Sequence, residues 1–338
     1  MGLTIVFDYS GTLSLEAVAF AKDDVLEREL RLSGLADFGV ASPAVFWNRI
    51  VNPAWEEGSR TPTGYRRLMV KKISEEWTVN RKEASLAVLD KAAGIFVTQY
   101  FAHSRIDPSW IPLLRELYDH PLITTVVATD HYAEATKAIK GQFQEMQLQA
   151  LPLPTAGGDR IGAGAKVDEL AKSRHPGENR CPELSKHSES QDTCFRRHDN
   201  YDSSSTFCET VKVGDRVRGG GESRNCFFIA NSADLGYHKD QEEFWVLVRE
   251  QTNWTHGDRL LLVDDFGANE VAGDNYGQEA RVEARRQRTT ALLTKVFDGT
   301  AEVMPFVLSG EGTSRNGEVR LLIEPIALKI REILQADG

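Results

Sequence analysis

The sequence predicts an α/β protein: a doubly wound parallel sheet carrying an α-helical insertion. Three observations lead there. Apolar runs ending on a polar or acidic residue recur along the chain, LTIVFD at 3–8, LITTVVAT at 122–129 and RLLLVD at 259–264, as expected of strands buried on both faces. Helical periodicity separates the later runs, the alternation that builds a parallel sheet. A long helical stretch without strand signal follows the first run.

The elements follow in order. Residues 3–8 make the first strand, and Gly11 and Thr12 turn the chain. Between 14 and 105 the pattern is helical, in LEAVAFAKDDVLEREL, around Val45 to Val51, in YRRLMVKKISEEW, and in a helix capped by Asn80. Asp107 and Pro108 read as N-cap and first residue of a helix through Leu117. The strand at 122–129 and a helix from Ala133 to Glu145 come next. Residues 152–225 change character: Phe195, Tyr201 and Phe207 are the aromatics, and clusters such as SESQD, YDSSS and RGGGES bury little. We read this stretch as a surface insertion with one short strand near VKVGDRV. CFFIA, a helix over 240–251 and RLLLVD restore the α/β pattern. A helix over 278–297, a strand in AEVMPFVL and an amphipathic helix over 318–335 complete the chain.

Composition sets outer limits. With 41% hydrophobic and 27% charged residues, six Trp and fifteen Phe, the 338-residue chain can bury a core with one or two insertions. A net charge of −10 opposes a phosphate backbone, so no nucleic-acid partner is expected. The densest basic run, Arg281, Arg285, Arg286 and Arg288, reads as a solvated helix face. MGLTIVFD lacks the parts of a signal peptide, position 6 does not support myristoylation, and no eighteen-residue apolar run occurs; the expectation is a cytoplasmic protein with no membrane partner. Cys181, Cys194, Cys208 and Cys226 fit no common zinc or redox spacing, even with His187 and His198 nearby, and read as free thiols. Oligomeric state is not legible.

In an open parallel sheet, ligands gather beyond the carboxyl ends of the strands, so the residues closing the apolar runs carry the information. These are Asp8, Thr129, Asp264 and Asp265. Three carboxylates converging there repel one another unless a cation lies among them, and hard oxygen donors suit Mg²⁺. A carboxylate beside such an ion can attack phosphorus, a threonine can donate to a phosphoryl oxygen, and a lysine can offset developing charge.

FDYSGTLS resembles the first motif of the haloacid dehalogenase (HAD) superfamily, with Asp8 in the nucleophile position. Thr129 after TTVVA resembles the second motif, ADLGYHKDQEEFW the third with Lys239 as the motif lysine, and LLLVDDFGANE the Asp-Asp form of the fourth. The four occur in the family's order. Lys166, in IGAGAKVDEL, is the rival lysine; Leu235, Gly236, Glu243 and Phe244 favour Lys239.

The resemblance implies a Rossmann-like core, 1–13 with 106–338, and a helical cap over 14–105 that closes on the cleft and selects the substrate. It implies a Mg²⁺-dependent hydrolase, a phosphatase acting on a small phosphorylated metabolite through an aspartyl-phosphate at Asp8. Mg²⁺ would sit on Asp8, Asp265 and the Ser10 main-chain carbonyl, with Asp264 close to the ion and orienting Lys239; Asn269 and Glu270 fall where such relatives place supporting residues. Thr12, Arg66 and Lys71 are the expected substrate-binding residues. Two alternatives remain. Phosphatases of the family carry a second Asp where this chain has Ser10, which points to a phosphate-binding protein without turnover. A phosphonatase-like C–P hydrolase would use Lys71 or Lys72 for a Schiff base.

Overall fold

In a computed structural model, the residues described are 2–76, 83–154, 226–270, 277–309 and 315–336. The chain divides into two units, residues 1–158 with 213–338, and residues 159–212, and the second lies wholly outside the described residues. The Asn80 cap, the VKVGDRV strand, Lys166, Cys181, Cys194 and Cys208 also lie outside them.

Strand β1 (Leu3–Asp8) is buried along its whole length because it is hydrogen-bonded on both edges and covered on both faces. Next come α1 (Leu15–Phe20), α2 (Asp23–Ser33), α3 (Pro43–Val45), α4 (Asn52–Gly58), α5 (Tyr65–Glu76) and α6 (Glu83–His103). α3 runs into α4 through a π-helical turn at Phe46–Val51. A 3-10 turn at Pro108–Trp110 leads into α7 (Ile111–Asp119), then β2 (Ile123–Thr129), α8 (Glu134–Glu145), β3 (Ala150–Pro152), β4 (Phe227–Asn231), α9 (Ser232–Leu235), α10 (Glu242–Gln251), β5 (Arg259–Asp264), α11 (Glu279–Val296), β6 (Ala301–Pro305) and α12 (Arg315–Ala336).

The six strands form one parallel sheet in the order β3-β4-β2-β1-β5-β6. Alternation along the strands divides the core into two layers. Ile5, Phe7 and Val127 face α7, α8 and α12, meeting Leu114, Ile139 and Ile330. Val6, Val126 and Leu262 face α10 and α11, meeting Trp245 and Leu293. A third cluster, including Leu30, Phe46, Leu68, Ile73, Leu89 and Phe96, belongs to α2, the π turn, α5 and α6, so this helical group has a core of its own. Tyr132, from the segment after β2, is its one member from the sheet side.

Three local expectations change. β3 was not anticipated: it is a three-residue edge strand with a proline in it, too short to show a period. The helix expected from Pro108 starts as a 3-10 turn that Asp107 caps through Ser109 N–H, and α7 begins only at Ile111. Pro112 has no amide to bond the Pro108 carbonyl, which accounts for the break. The strand expected over AEVMPFVL ends at Pro305. No helix among the described residues is long and apolar enough to cross a membrane.

Candidate functional site

β1 is the point where strand order reverses: β2, β4 and β3 extend to one side, β5 and β6 to the other. The loops leaving β1 and β5 diverge there and open a crevice at the carboxyl edge. The final residues of these strands, Asp8, Thr129 and Asp264, meet in it, with Asp265 one step further. The parallel register sets Asp8 level with Ala128, one residue before Thr129.

Asp8, Asp264 and Asp265 are 5%, 4% and 2% exposed, and each offers a carboxylate oxygen within 4.8 Å of the others. Lys239 supplies the one cation in ion-pair contact with them among the described residues. Its Nζ donates to Asp8 Oδ1 at 2.5 Å and to Asp264 Oδ2 at 3.0 Å. The Lys239 amide donates to Asp130 at 2.9 Å, and its carbonyl accepts from Trp245 Nε1 at 2.7 Å, so both ends of the residue are fixed.

Three carboxylates against one ammonium leave the cluster short of positive charge, and its protonation reflects that. Burial, with Asp264 and Asp265 close by, holds Asp8 well above the usual carboxylate range despite Lys239. Burial and the Asp264 charge push Asp265 up to about 7, against the Asn269 and Gly267 amides. Burial works against the Lys239 charge, yet Asp264, Asp8 and Asp130 keep it well above the usual lysine range. Such a group of hard oxygen donors fits a small divalent cation. Both Asp264 oxygens are engaged, Oδ1 by Phe266 N–H at 2.7 Å and Oδ2 by Lys239, whereas the hydrogen bonds to Asp8 and Asp265 engage Oδ1 of Asp8 from Lys239 and Oδ2 of Asp265 from Asn269 N–H.

The Asp265 loop is braced from three sides. Its amide donates to Thr12 Oγ1 at 3.0 Å, and its carboxylate accepts from Asn269 N–H at 3.0 Å. Asn269 ties the loop to the Gly11 and Phe306 carbonyls at 2.7 and 2.8 Å. Gly11 has φ +83°, and a Cβ there would meet an Asp265 carboxylate oxygen at 2.3 Å, so glycine is needed for both conformation and space.

The helical group supplies the opposite wall. Trp47, Asn48, Val51, Asn52 and Trp55 follow one another along one face of the π turn and α4 and line the cleft. Tyr100 of α6 reaches the Ser10 side chain, and its hydroxyl lies 2.8 Å from His131 Nε2. His131 Nδ1 accepts from Tyr132 N–H at 2.8 Å, which assigns the proton to Nε2. Burial lowers His131 to about 4, so the ring is neutral. The seam beside it is closed by Ser59 Oγ against His238 Nε2 at 2.6 Å, by the Arg60 Nε bond to the Gly236 carbonyl at 3.1 Å, and by a Tyr65–Tyr132 stack at 4.0 Å.

Asp8, Ser10, Thr129, Lys239, Asp264 and Asp265 thus share one cleft. Three expected substrate-binding residues do not join them. Thr12 is fully buried and braces Asp265; Arg66 is exposed and forks onto Asp90; Lys71 is exposed and paired with Glu57 at 3.0 Å. Lys72 pairs with Glu75. The Arg281–Arg288 run lies on α11 with Arg281, Arg286 and Arg288 exposed, as expected of a solvated helix face, and Arg281, Arg285 and Arg288 also line the cleft, with Arg285 Nε donating to the Phe266 carbonyl at 2.9 Å. Spacings of four and three residues put them on one helix face, a signal present in the sequence but without a direction until α11 is docked. Asp130, His131, Tyr100 and Trp55 carried no sequence signal. Cys226 is a free, half-buried thiol at the start of β4. Comparison with known proteins adds no relative: no family model, no curated protein and no solved structure matches the chain.

Proposed function

We propose that the chain is a Mg²⁺-dependent hydrolase of the HAD type, acting on phosphate esters met in the cytoplasm through an aspartyl-phosphate at Asp8. One observation carries the reading: a buried carboxylate at the strand-order reversal, flanked by two further carboxylates, with a single lysine shared between it and Asp264 so that one positive charge faces three acids. Asp8, Asp265 and the Ser10 main-chain carbonyl would hold the ion. Bound there, Mg²⁺ supplies the charge neutralisation that lets an anionic ester approach an anionic nucleophile.

The chain's own groups do the rest. An Asp8 carboxylate oxygen attacks phosphorus, the ester P–O bond breaks, and its electron pair departs on the leaving oxygen. Lys239 and the Thr129 hydroxyl hold phosphoryl oxygens as charge redistributes. Water then attacks the acyl-phosphate, restoring Asp8 and releasing inorganic phosphate.

Ser10 limits the rate. It offers no carboxylic acid to protonate the leaving oxygen, and its side chain is in contact with Tyr100, so about 10²- to 10⁴-fold of acid–base catalysis is forgone. The same observation supports a second reading, a protein that binds phosphate without turning it over. The Schiff-base alternative has little support, because Lys71 and Lys72 are ion-paired and neither lines the cleft.

A panel of phosphate esters with Mg²⁺ decides between the first two. The hydrolase reading expects Mg²⁺-dependent phosphate release and acid-stable labelling of Asp8, with Asp8→Asn slower by at least about 10⁴-fold. Phosphate binding with neither turnover nor labelling selects the binding protein instead.

A further inference from the structure

The cleft is much larger than a phosphoryl group requires. Its volume is about 1170 Å³, above the usual range for pockets that enclose drug-sized ligands. Its lining includes Arg281 and Arg288, on the face of α11 that Arg285 anchors to the loop following Asp265. Among the described residues Arg281 has no ion-pair partner, and Arg288 meets Asp240 through a single 3.4 Å contact with both side chains more than half exposed, a pairing an incoming anion displaces at little cost. Asp240 and Glu270 also line the cleft and set a limit on how much anionic charge it accepts.

A second observation points to a ligand deep in the same cleft. Tyr132 lines the cleft beside Trp55 and is 3% exposed, and its buried hydroxyl has no hydrogen-bond partner. Burying a hydroxyl unpaired is costly, and an acceptor on a bound molecule removes that cost.

We propose that the ligand is a large phosphomonoester with a second anionic group: the scissile phosphate sits at Asp8, the middle of the molecule lies between Trp55 and the Tyr132 hydroxyl, and Arg281 and Arg288 hold the distal anion. This assignment rests on the proposed phosphate site and adds the class of leaving group. Guanidinium forks suit a terminal phosphate or carboxylate, which they bind in bidentate fashion.

The test uses two matched pairs, adenosine monophosphate with adenosine bisphosphate, and hexyl phosphate with hexanediol bisphosphate. Binding is measured by calorimetry on the full-length Asp8→Asn protein with Mg²⁺, and turnover on the unmodified chain. The expected result is that the second phosphate tightens binding at least about tenfold in one or both pairs. That ratio should collapse toward one in Arg281→Gln/Arg288→Gln and survive in part in Arg281→Lys. Equal affinity within both pairs overturns the proposal, as does a ratio the double substitution leaves unmoved. Failure of the hydrolase reading is separate: an arginine-dependent ratio without turnover of any ester keeps the distal anion site and removes the enzyme.

Discussion

The two walls of the cleft are built on opposite principles. The sheet edge brings together charges that repel, and holds them by hydrogen bonds: the Asp264 carboxylate accepts from Phe266 N–H and Lys239, and the Asp265 carboxylate accepts from Asn269 N–H while the Asp265 amide donates to Thr12 Oγ1. The helical wall presents Trp47, Val51 and Trp55 on a layer with its own apolar core, touching the sheet side through a few seam contacts. Stored electrostatic tension on one side and conventional packing on the other imply that the chemistry and the choice of ligand can be altered separately.

The largest effect should come at the seam, where His131 joins Tyr100 of the helical wall to the segment after β2. The ring titrates near 6.5 in the unfolded chain and near 4 when folded, so the unfolded state binds more protons between these values. Its contribution is therefore intact above pH 6.5 and lost as pH falls toward 4, by about 3 kcal/mol. The raised pKa values of Asp8 and Asp265 act with the opposite sign. The measurement is accordingly the difference in urea unfolding between the unmodified chain and His131→Gln over this window, and a pH-independent difference would remove His131 from the account.

Gly11→Ala tests the sheet wall alone. The added methyl group displaces the Asp265 carboxylate and forces an L-residue to φ +83°, so Mg²⁺ affinity should fall by about 100-fold, with Asp265→Asn behaving alike and the aromatic wall undisturbed. Calorimetric Mg²⁺ titration reads this out, and unchanged affinity in both variants would place the ion elsewhere.

Proton competition gives a smaller effect. Asp265 holds its proton up to about pH 7 and Asp8 is also held above the usual range, so Mg²⁺ must displace protons and apparent affinity should weaken at least about tenfold per unit below pH 7, or about 1.4 kcal/mol. Thermal shifts with Mg²⁺ should accordingly be larger at pH 8 than at pH 6; equal shifts would contradict a protonated Asp265. Smallest is Glu134→Ala. The Glu134 carboxylate accepts from the Tyr65 and Arg66 amides at the start of α5, at 2.7 and 3.2 Å, and its loss should cost about 1 kcal/mol while loosening the helical wall. Faster hydrogen exchange confined to α5 and its neighbours would sharpen the division into two walls, whereas uniform exchange would break it.

What the sequence disclosed divides along the same line. Strands buried on both faces must be apolar until they surface, so Asp8, Thr129 and Asp264 were visible as the residues that end such runs. Lys239 was visible only through motif spacing. The opposing wall was not legible, because a helical pattern of charges does not say which neighbour the helix meets. Arg281 and Arg288 therefore read only as solvent-facing, which they are, with nothing to say that they also line the cleft, while Arg66 and Lys71 were assigned to it although they pair with Asp90 and Glu57. Thr12 shows a third kind of limit: its place in a turn beside Asp8 was clear, but its hydroxyl serves the Asp265 amide.

The placement of two indole rings has a practical consequence. Trp110 and Trp245 are fully enclosed, whereas Trp47 and Trp55 line the cleft, and Trp55 lies roughly parallel to His238 with ring centres 6.2 Å apart. An imidazole that close quenches indole emission, so the chain contains its own optical reporter. Entry of a ligand that separates or dries these rings should change fluorescence without any label, and Trp55→Phe should remove the part of the change that comes from the His238 pair, leaving that of Trp47 over the background of the enclosed tryptophans.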